Sequence, residues 1–343
     1  MVVLNMPIHV SQIDDLAKAA ILPLVPAINE TIRSGGEDTK SIALVRRAIE
    51  EHLAGPDGEF AGDKLPAPET GDRIGPYLLQ DRLGAGVSCF VFRAWDDSHQ
   101  CPVALKIVNW ANVFDRSAAM KQMRNEAAAL ARVKHPRVVR FLDLGFDPRW
   151  PYLVTEYVDG RPLGELLRSG GSLPLEWAIF IISQVVDALG AVWRAGLVHR
   201  DIKPDNVLVG PNGVAKLIDF GLAMSPSIQA ANGVLGAELA GTASYLAPEQ
   251  ARDANVVDHR ADVYALGVTF YEALTGKLPF EGKNRIQMIF HHMNSHPPAP
   301  HLVNPKVPPL VSDLCMWMLV KNPSERPQNY DELRQSFDAV TGL

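Results

Sequence analysis

The chain has 343 residues, of which 33 are basic and 39 acidic, so its formal net charge is −6. Residues 1–70 carry 6 basic and 11 acidic residues, while the rest of the chain carries 27 and 28, which argues against a general nucleic-acid binder. A hydrophobic content of 47% with 21% charged residues excludes wholesale disorder. The length fits about two domains, or one large domain with an extension.

Cysteine usage and hydrophobic runs indicate the compartment. Cys89, Cys101 and Cys315 lack metal-ligand spacing and predict no disulfide framework, which favours a reducing environment. No apolar run reaches the roughly 18 residues that a membrane span needs, and the amino terminus lacks the features of a signal peptide. We therefore expect a soluble, cytoplasmic protein without a membrane span.

The first 54 residues predict a small helical extension. Ser11 and Asp14 resemble a capping signal ahead of an apolar stretch, and a second helix with an apolar stripe is predicted over residues 41–53. Residues 55–72 hold four glycines and three prolines, the composition of a linker. Residues 1–54 are expected to dock on the rest of the chain or to self-associate; alternatively, they form a short cap that only adds solubility.

From about residue 74 the pattern changes to short strands with one helix and then to a mostly helical remainder. This order predicts a small β-rich lobe joined to a larger α-rich lobe. The predicted strands are 77–83, 90–94, 103–108, 138–146 and 151–156; the predicted helices are 117–134, 174–195, 258–276, 284–294, 310–319 and 330–340.

Two features of the β-rich part point to phosphate chemistry. Gly84 and Gly86 fall between two predicted strands, where glycines let backbone N–H groups approach phosphate oxygens closely. Lys106 lies within an apolar strand and needs a partner if buried, which Glu126 on the following helix can supply. Taken singly, the alternatives are a β-turn without a ligand and two solvated surface charges.

A third cluster strengthens this interpretation. Residues 199–208 are His-Arg-Asp-Ile-Lys-Pro-Asp-Asn-Val-Leu, and Asp219-Phe220-Gly221 follows. The oxygen ligands of Asn206 and Asp219 suit magnesium, which also binds substrate phosphates. Asp201 can accept a proton from an attacking hydroxyl, and Lys203 can neutralise a moving phosphoryl group.

In this order the motifs resemble those of the eukaryotic-like protein kinases, and most closely the bacterial serine/threonine kinases, over about residues 74–340. Ala247-Pro248-Glu249 fits the same pattern. Asp262 with Gly267 resembles the helix that anchors the catalytic loop, and Arg326 resembles the late arginine that pairs with Glu249. The resemblance implies an α+β, bilobal kinase domain over residues 73–343, with an N-lobe of about 73–157 and a C-lobe of about 158–343.

The resemblance also implies an activity, which is transfer of the ATP γ-phosphate to serine or threonine hydroxyls of proteins. Asp201 would be the catalytic base and Lys203 a contact to the γ-phosphate. Lys106 would hold the α- and β-phosphates and be oriented by Glu126. Lys203, together with Thr242, resembles the serine/threonine pattern rather than the tyrosine pattern.

The same resemblance implies ATP and Mg²⁺ as the cofactors. Mg²⁺ would be held by Asn206 and Asp219. Thr155 falls at the gatekeeper position, and Glu156 and Val158 at the hinge that bonds adenine through backbone groups. The ATP-binding residues implied are Leu83, Gly84, Gly86, Val91, Ala104, Lys106, Thr155, Glu156, Val158 and Leu208.

Two departures from the family pattern bear on regulation. Cys89 replaces the third glycine of the loop, where a small residue on a β-turn is favoured over a redox-sensitive thiol. Residues 228–240 contain no Ser, Thr or Tyr, so only Ser225 and Ser227 precede Thr242. Either Ser225 or Ser227 carries the activating phosphate, or activation does not use phosphorylation of this loop; we favour the second.

Competing hypotheses stay open at this point. A catalytically dead scaffold usually lacks the lysine or one of the two aspartates, all of which are present here. A kinase of small molecules would not need the complete Ala-Pro-Glu segment. His291, His292 and His296 could suggest a metal site, but they flank a predicted helix without further ligands.

Overall fold

The computed structural model describes residues 67–86, 89–113, 116–147, 149–221, 223, 242–253 and 257–341. The chain divides into two units, Met1–Gly62 and Asp63–Leu343, and all described residues belong to the second. The predicted helical extension, most of the predicted linker, Ser225 and Ser227 lie outside the described residues. The described part is an α+β protein with a sheet-rich N-lobe and a helical C-lobe, as the sequence predicts.

Within the described residues, six strands form the antiparallel sheet of the N-lobe, in the order β1-β2-β3-β4-β6-β5. Each predicted strand of this lobe is present, with bounds that differ by a few residues. The strands are β1 Arg73–Ile74, β2 Tyr77–Ala85, β3 Cys89–Asp96, β4 Cys101–Val108, β5 Phe141–Phe146 and β6 Pro151–Glu156.

Alternation of side chains gives this sheet one buried face and one face toward the cleft. On β3, Phe90 and Phe92 are buried while Val91 is half-buried, and on β4 Leu105 is buried while Lys106 is half-buried. Successive side chains of a strand point to opposite faces, so the apolar residues fill the N-lobe core. Each buried side chain of this size contributes about 1.5–3 kcal/mol.

Helix α1, Arg116–Arg132, packs against β5 and β6. Met123, Ala127 and Leu130 are buried at helical spacing, and the alanine-rich sequence favours the helix. Glu126 is buried on the same helix, 4% exposed. The sheet and α1 therefore bring a carboxylate and a lysine of separate elements to the inner side of the N-lobe.

The C-lobe is built around two long buried helices. Shorter helices and a small three-stranded sheet, with the strand order β7-β8-β9, make up the rest of this lobe. The elements are β7 Arg161–Pro162, α2 Leu163–Gly170, α3 Leu175–Arg194, β8 Val207–Val209, β9 Ala215–Leu217, α4 Pro248–Arg252, α5 His259–Thr275, α6 Arg285–Asn294, α7 Pro300–Val303, α8 Pro309–Met318 and α9 Tyr330–Thr341.

Helix α5 shows how the sequence sets these boundaries. The Asp258 side chain accepts a hydrogen bond from the Arg260 backbone N–H and so caps the helix start. Gly276 ends the helix at φ 71°, a left-handed conformation that glycine adopts without strain. The residues between are buried on nearly all sides, as in a helix at the centre of a lobe.

Helix α3 is apolar as well. Among the described residues it is the one helix long and apolar enough to cross a membrane, and 67% of that stretch is buried inside the protein. Such burial is that of a core helix in a folded domain.

Candidate active site

Lys106 lies between two carboxylates on the inner side of the N-lobe. Its Nζ donates to both carboxylate oxygens of Glu126 at 2.8 Å and to Oδ1 of Asp219 at 3.1 Å. Burial alone lowers the pKa of Lys106, but Asp219 and Glu126 outweigh it and raise this pKa above its ordinary value. Lys106 in turn lowers the pKa of Asp219 to about 2. One ammonium thus faces two carboxylates, which leaves one negative charge for a cation to balance.

The catalytic loop brings three polar side chains together. Lys203 donates through Nζ to Oδ2 of Asp201 at 2.6 Å. The Asn206 Nδ2 donates to the same oxygen at 3.0 Å and to the Asp201 backbone carbonyl at 2.7 Å. Asp201 is 7% exposed, so its carboxylate keeps a fixed orientation toward the cleft side of the loop. This is the arrangement that a base beside a transferring phosphoryl group requires.

The backbone of this loop is held from below by Asp262 on α5. Its two carboxylate oxygens accept hydrogen bonds from the N–H groups of His199 and Arg200, both at 2.7 Å. Arg200 has φ 69°, a left-handed conformation uncommon for a residue with a side chain. The His199 ring is fully buried and packs edge-on against Phe220 with centroids 4.8 Å apart. Two fixed carboxylate bonds therefore hold a strained turn that carries the base.

Asn206 and Asp219 each keep one side-chain oxygen that is not used in the hydrogen bonds of the described residues. The Nδ2 of Asn206 is engaged with Asp201, and Oδ1 of Asp219 accepts from Lys106 and from the Gly221 N–H. Among the described residues, the Asn206 Oδ1 and the Asp219 Oδ2 have no hydrogen-bond partner. An amide and a carboxylate oxygen are hard ligands that suit a divalent cation of the Mg²⁺ type. No cluster of three or more His, Cys, Asp or Glu ligands occurs in the described part of the chain.

The glycine-rich turn follows β2, which lies two strands from the Lys106 strand in the sheet. Gly84 is in β2 opposite Val91 in β3, and Val91 in turn is opposite Lys106 in β4. Leu83, also on β2, is 48% exposed, which is unusual for a large apolar side chain at a strand. Gly86 follows the strand and donates its N–H to the Cys89 carbonyl at 2.8 Å. Gly84 and Gly86 thus lie near the end of β2, in the part of the sheet that pairs through Val91 toward Lys106, with the apolar Leu83 side chain exposed.

The predicted adenine-binding residues come from five strands and the segment after β6. Ala104 pairs with Thr155 across β4 and β6, Val158 follows β6, and Leu208 is on β8 in the other lobe. Glu156 ends β6, and its carboxylate accepts from Lys216 at 2.6 Å.

The backbone of Glu156 is also engaged. Its N–H donates to the Arg140 carbonyl at 2.9 Å. A ligand at this residue can therefore contact the backbone carbonyl, but neither the N–H nor the occupied carboxylate.

The segment below the catalytic loop contains contacts that sequence analysis did not predict. Gln250 on α4 donates through Nε2 to the Arg200 carbonyl at 3.3 Å, and Tyr245 donates through Oη to Glu272 at 2.6 Å. Neither pair is close in sequence, so no local pattern could have revealed them. The first bond ties the Ala-Pro-Glu segment to the turn that holds the base, and the second ties the residues just before that segment to α5.

The three histidines considered as metal ligands do not converge. His292 is fully buried with Nδ1 2.9 Å from the Tyr264 hydroxyl, and burial lowers its pKa to about 4. His291 instead bonds the Ser295 hydroxyl at 2.9 Å. His291 and His292 therefore contribute to the local packing of α6, and His296 lies beyond the helix and is exposed.

Comparisons with known proteins agree with this geometry. Residues 77–337 match the family described as Protein kinase domain. The chain is 38% identical over 264 residues to the serine/threonine-protein kinase PknL of Mycobacterium tuberculosis, which covers 77% of this chain and 65% of that protein. It is 36% identical to the serine/threonine-protein kinase PksC of Streptomyces coelicolor over 82% of this chain and 50% of that one.

A third relative is the serine/threonine-protein kinase PrkC of Bacillus subtilis. It is 33% identical over 78% of this chain and 42% of that protein, so the chain spans less than two thirds of the length of all three relatives. The family match covers most of the chain, and the motifs that carry the resemblance meet in one site. The chain therefore belongs to the protein kinase family, among its bacterial serine/threonine members.

Proposed function

We propose that this chain transfers the γ-phosphate of ATP to serine or threonine hydroxyls of proteins. One observation carries the proposal: the Asp201 carboxylate lies 2.6 Å from the Lys203 ammonium, on a loop fixed by Asn206 and Asp262. A carboxylate of this kind accepts the proton of the attacking hydroxyl, while the adjacent ammonium stabilises charge on the moving phosphoryl group. Phosphoryl transfer needs the carboxylate and the ammonium side by side, at the point where the hydroxyl meets the γ-phosphate.

The phosphates of ATP are held from the other lobe. Lys106 binds the α- and β-phosphates, and its bond to Glu126 fixes the position of the ammonium before ATP arrives. Gly84 and Gly86 cover the phosphates, since glycines without a side chain let the backbone of the turn approach them closely. Preorganised charges of this kind are worth about 10²–10³ in rate for each group removed.

Mg²⁺ is the metal that we assign to the free oxygens of Asn206 and Asp219. Lys106 keeps Asp219 ionised, and the bonds from the Asn206 Nδ2 to Asp201 fix the amide and leave its oxygen available. When bound, Mg²⁺ neutralises phosphate charge and orients the γ-phosphate. Phosphate oxygens and water would complete the ligand set, because Mg²⁺ usually keeps several waters and binds through one or two protein oxygens plus substrate phosphates.

The adenine ring is assigned to the space between the lobes. Leu83, Val91, Ala104 and Leu208 form its apolar walls, and Thr155 lies at its back. Polar contacts come from the backbone at Glu156 and Val158. Few polar groups among many apolar ones is the usual composition of a nucleotide pocket.

The proposal also covers the substrates and the location of the activity. Lys203 and Thr242 stand in the serine/threonine pattern, and the similar proteins are named serine/threonine-protein kinases. We place the activity in the cytoplasm. The domain boundaries remain those predicted, with residues 1–54 as a separate extension that docks on the kinase domain or self-associates.

The test is phosphate incorporation from labelled ATP with Mg²⁺, into the protein itself and into a generic basic protein. Asp201→Asn should lower incorporation by about 10²–10⁴-fold and leave ATP affinity intact, since the base does not bind the nucleotide. Asp205→Asn is the matched control, because Asp205 lies in the same loop but pairs with the exposed Arg168. It should change the rate by less than about tenfold.

Two results contradict the proposal. If wild type incorporates no phosphate while it binds ATP, the protein is a scaffold with a kinase fold. If Asp201→Asn and Asp205→Asn lose the same activity, Asp201 is not the base.

A further inference from the structure

Arg93 on β3 contacts Tyr157, the first residue after β6. The guanidinium carbon of Arg93 lies 5.0 Å from the centroid of the Tyr157 ring, the geometry of a cation–π contact. Tyr157 begins the segment that leads from the N-lobe sheet into the C-lobe, and neither residue belongs to the motifs described above. Two side chains that are far apart in the sequence therefore join the sheet to this segment.

Strand β3 places Arg93 on the face of the sheet that is turned toward the cleft. Its neighbours Phe92 and Ala94 are buried in the N-lobe core, so the Arg93 side chain lies on the opposite face, as does that of Val91. Arg93 also pairs directly with Ala104 of β4. Val91 and Ala104 are two of the apolar walls assigned to adenine, and Arg93 is next to both of them.

The segment after Tyr157 keeps its backbone groups free. Within the described part of the chain, none of Val158, Asp159 and Gly160 takes part in a backbone hydrogen bond. Free N–H and carbonyl groups suit the contact to adenine that is assigned to Val158, but they also leave these residues without a ladder that fixes their position. A side-chain contact beside them therefore has more influence on where Val158 lies than it would have in a strand.

Arg93 has no strong competing partner among the described residues. It lies 3.8 Å from the Asp81 carboxylate, an ion pair in which the two side chains are 37% and 73% exposed, and such exposed pairs contribute little. The Nε of Arg93 is buried and has no hydrogen-bond partner in the described residues. The electron-rich face of the Tyr157 ring thus supplies a favourable contact that this cation otherwise lacks.

We propose that Arg93 is a positioning residue for the nucleotide: its contact with Tyr157 holds the segment 157–160 against the N-lobe sheet and so fixes the Val158 backbone where adenine binds. The inference rests on the proposed ATP site and deepens it. Arg93 is not among the groups assigned to the phosphates or to proton transfer, so its effect falls on nucleotide affinity and not on the chemical step.

Calorimetric binding of ADP and of adenosine to the full chain tests this proposal with Arg93→Met, which keeps an unbranched side chain but removes the cation. Loss of the cation–π contact should weaken the binding of both ligands about two- to fivefold. The kcat for phosphate transfer should stay within about twofold of wild type. Adenosine carries no phosphate, so an equal loss for both ligands places the effect at the adenine and the ribose.

Other results of the same measurements overturn the proposal. If only ADP binds more weakly, Arg93 acts by attracting the charge of the phosphates. If kcat falls while both affinities stay the same, Arg93 acts on the chemical step. A wild type that binds both ligands but transfers no phosphate contradicts the proposed activity alone, whereas a wild type that binds neither ligand overturns the nucleotide site and this proposal together.

Variants of the partner residue separate the contact from a general loss of folding. Tyr157→Phe keeps the aromatic ring and should bind adenosine within about twofold of wild type. Tyr157→Leu removes the ring and should match Arg93→Met, and the two changes combined should lose no more affinity than either alone. Losses that add in the double variant overturn the proposal. Thermal melts confirm folding, and the two Tyr157 variants keep the test decisive if Arg93→Met unfolds.

Two further variants are matched controls. Arg149→Met removes a similar contact, in which the Arg149 guanidinium lies 4.4 Å from the Trp150 ring centroid just before β6. Asp81→Asn removes the ion pair of Arg93 and keeps its contact with Tyr157. Neither control should change the affinity for adenosine. A loss in Arg149→Met equal to that in Arg93→Met would mean that affinity responds to any lost charge in the N-lobe, which overturns the proposal.

Discussion

The guanidinium of Arg326 donates one hydrogen bond to each carboxylate oxygen of Glu249, at 2.6 Å and 2.8 Å. The two residues are 77 positions apart, and Arg326 is 1% exposed. Its remaining N–H groups donate to the carbonyls of Val320, Arg260 and Lys321. One side chain therefore ties the Ala-Pro-Glu segment to the start of α5 and the end of the lobe.

Arg326→Met should destabilise the protein by about 3–5 kcal/mol, since it leaves Glu249 and three carbonyls without their partner. Urea unfolding of the full chain measures the change. Arg334→Met is the control, because Arg334 is 38% exposed and its partners Asp187 and Asp338 are similarly open. It should lose less than about 1 kcal/mol. An equal loss of unfolding free energy in both variants would mean that burial of the Arg326–Glu249 pair adds nothing to stability.

Lys321 predicts a pH dependence of stability. Its Nζ donates to the Tyr264 hydroxyl at 3.0 Å and lies 4.5 Å from the Phe280 ring centroid, and no described carboxylate pairs with it. Burial, with help from Arg326, lowers its pKa from 10.5 to about 8. Between these values the unfolded chain binds more protons than the folded one, so this contribution to stability rises with pH from about 8 to 10.5.

The corresponding variant is Lys321→Met, which removes the titrating group and keeps an unbranched chain. At pH 7 it should be as stable as wild type or more stable, and this advantage should shrink by about 1–2 kcal/mol by pH 10. Urea unfolding at four pH values gives the difference, with the exposed Lys277→Met as the control for loss of a lysine. Parallel curves for wild type and Lys321→Met would contradict the assignment.

Much of the fold could be predicted because local patterns decide it. Residues 151–156 were predicted as a strand with the bounds that β6 has, since an apolar run pairs on both sides in the sheet. The predicted strand over 138–146 begins later, at Phe141. The reason is tertiary: the Val139 N–H donates to the Leu217 carbonyl of the other lobe, so these apolar residues join the lobes instead of extending β5.

Helix α2, Leu163–Gly170, escaped prediction for a physical reason. It has eight residues and contains Gly164 and Gly170, so its intrinsic helix propensity is low. The cleft was predicted better, because Lys106, Asp201 and Asp219 belong to recognisable motifs. Pairs such as Lys216 with Glu156 could not be found, since two half-buried charges 60 residues apart carry no signal until the chain folds.

Loop phosphorylation gives a prediction from sequence alone. Residues 228–240 contain no hydroxyl side chain, so only Ser225 and Ser227 could carry phosphate before Thr242. We expect that phosphatase treatment of the purified chain, or Ser225→Ala with Ser227→Ala, changes the transfer rate by less than about threefold. Mass spectrometry of the treated protein checks the phosphosites. A large loss of activity that parallels loss of phosphate at Ser225 or Ser227 would show that the loop is a switch.

Two glycines in buried helices should respond to alanine in opposite directions. A Cβ at Gly267 on α5 would lie 2.8 Å from the Met318 Cβ, too close without a backbone shift. Gly267→Ala should therefore destabilise by about 1–3 kcal/mol. At Gly190 on α3 the nearest atoms lie at 3.4 Å, an ordinary contact. Gly190→Ala should stabilise the protein by about 0.5–1 kcal/mol, because alanine has the higher helix propensity. Thermal melts of the two variants measure the effect. Melting temperatures that shift in the same direction in both variants would contradict this account.

Lys106 and Glu126 should act as one unit in catalysis. Lys106→Met removes the phosphate contact, and we expect kcat/KM for ATP to fall about 10²-fold or more. Glu126→Gln keeps the shape of the partner but loses its charge, so Lys106 shifts toward Asp219 and kcat/KM should fall about tenfold or more.

In the double variant, the Glu126 change should add little, because it acts only by positioning Lys106. This double-mutant cycle compares kcat/KM of the wild type, the two single variants and the double variant at one saturating concentration of Mg²⁺. Glu165→Gln serves as the control for loss of a charge, because Glu165 is exposed and pairs with Arg161. A further tenfold loss on adding Glu126→Gln to Lys106→Met would mean that Glu126 has a role of its own. Additivity of that kind would place Glu126 in direct contact with the substrate or metal instead.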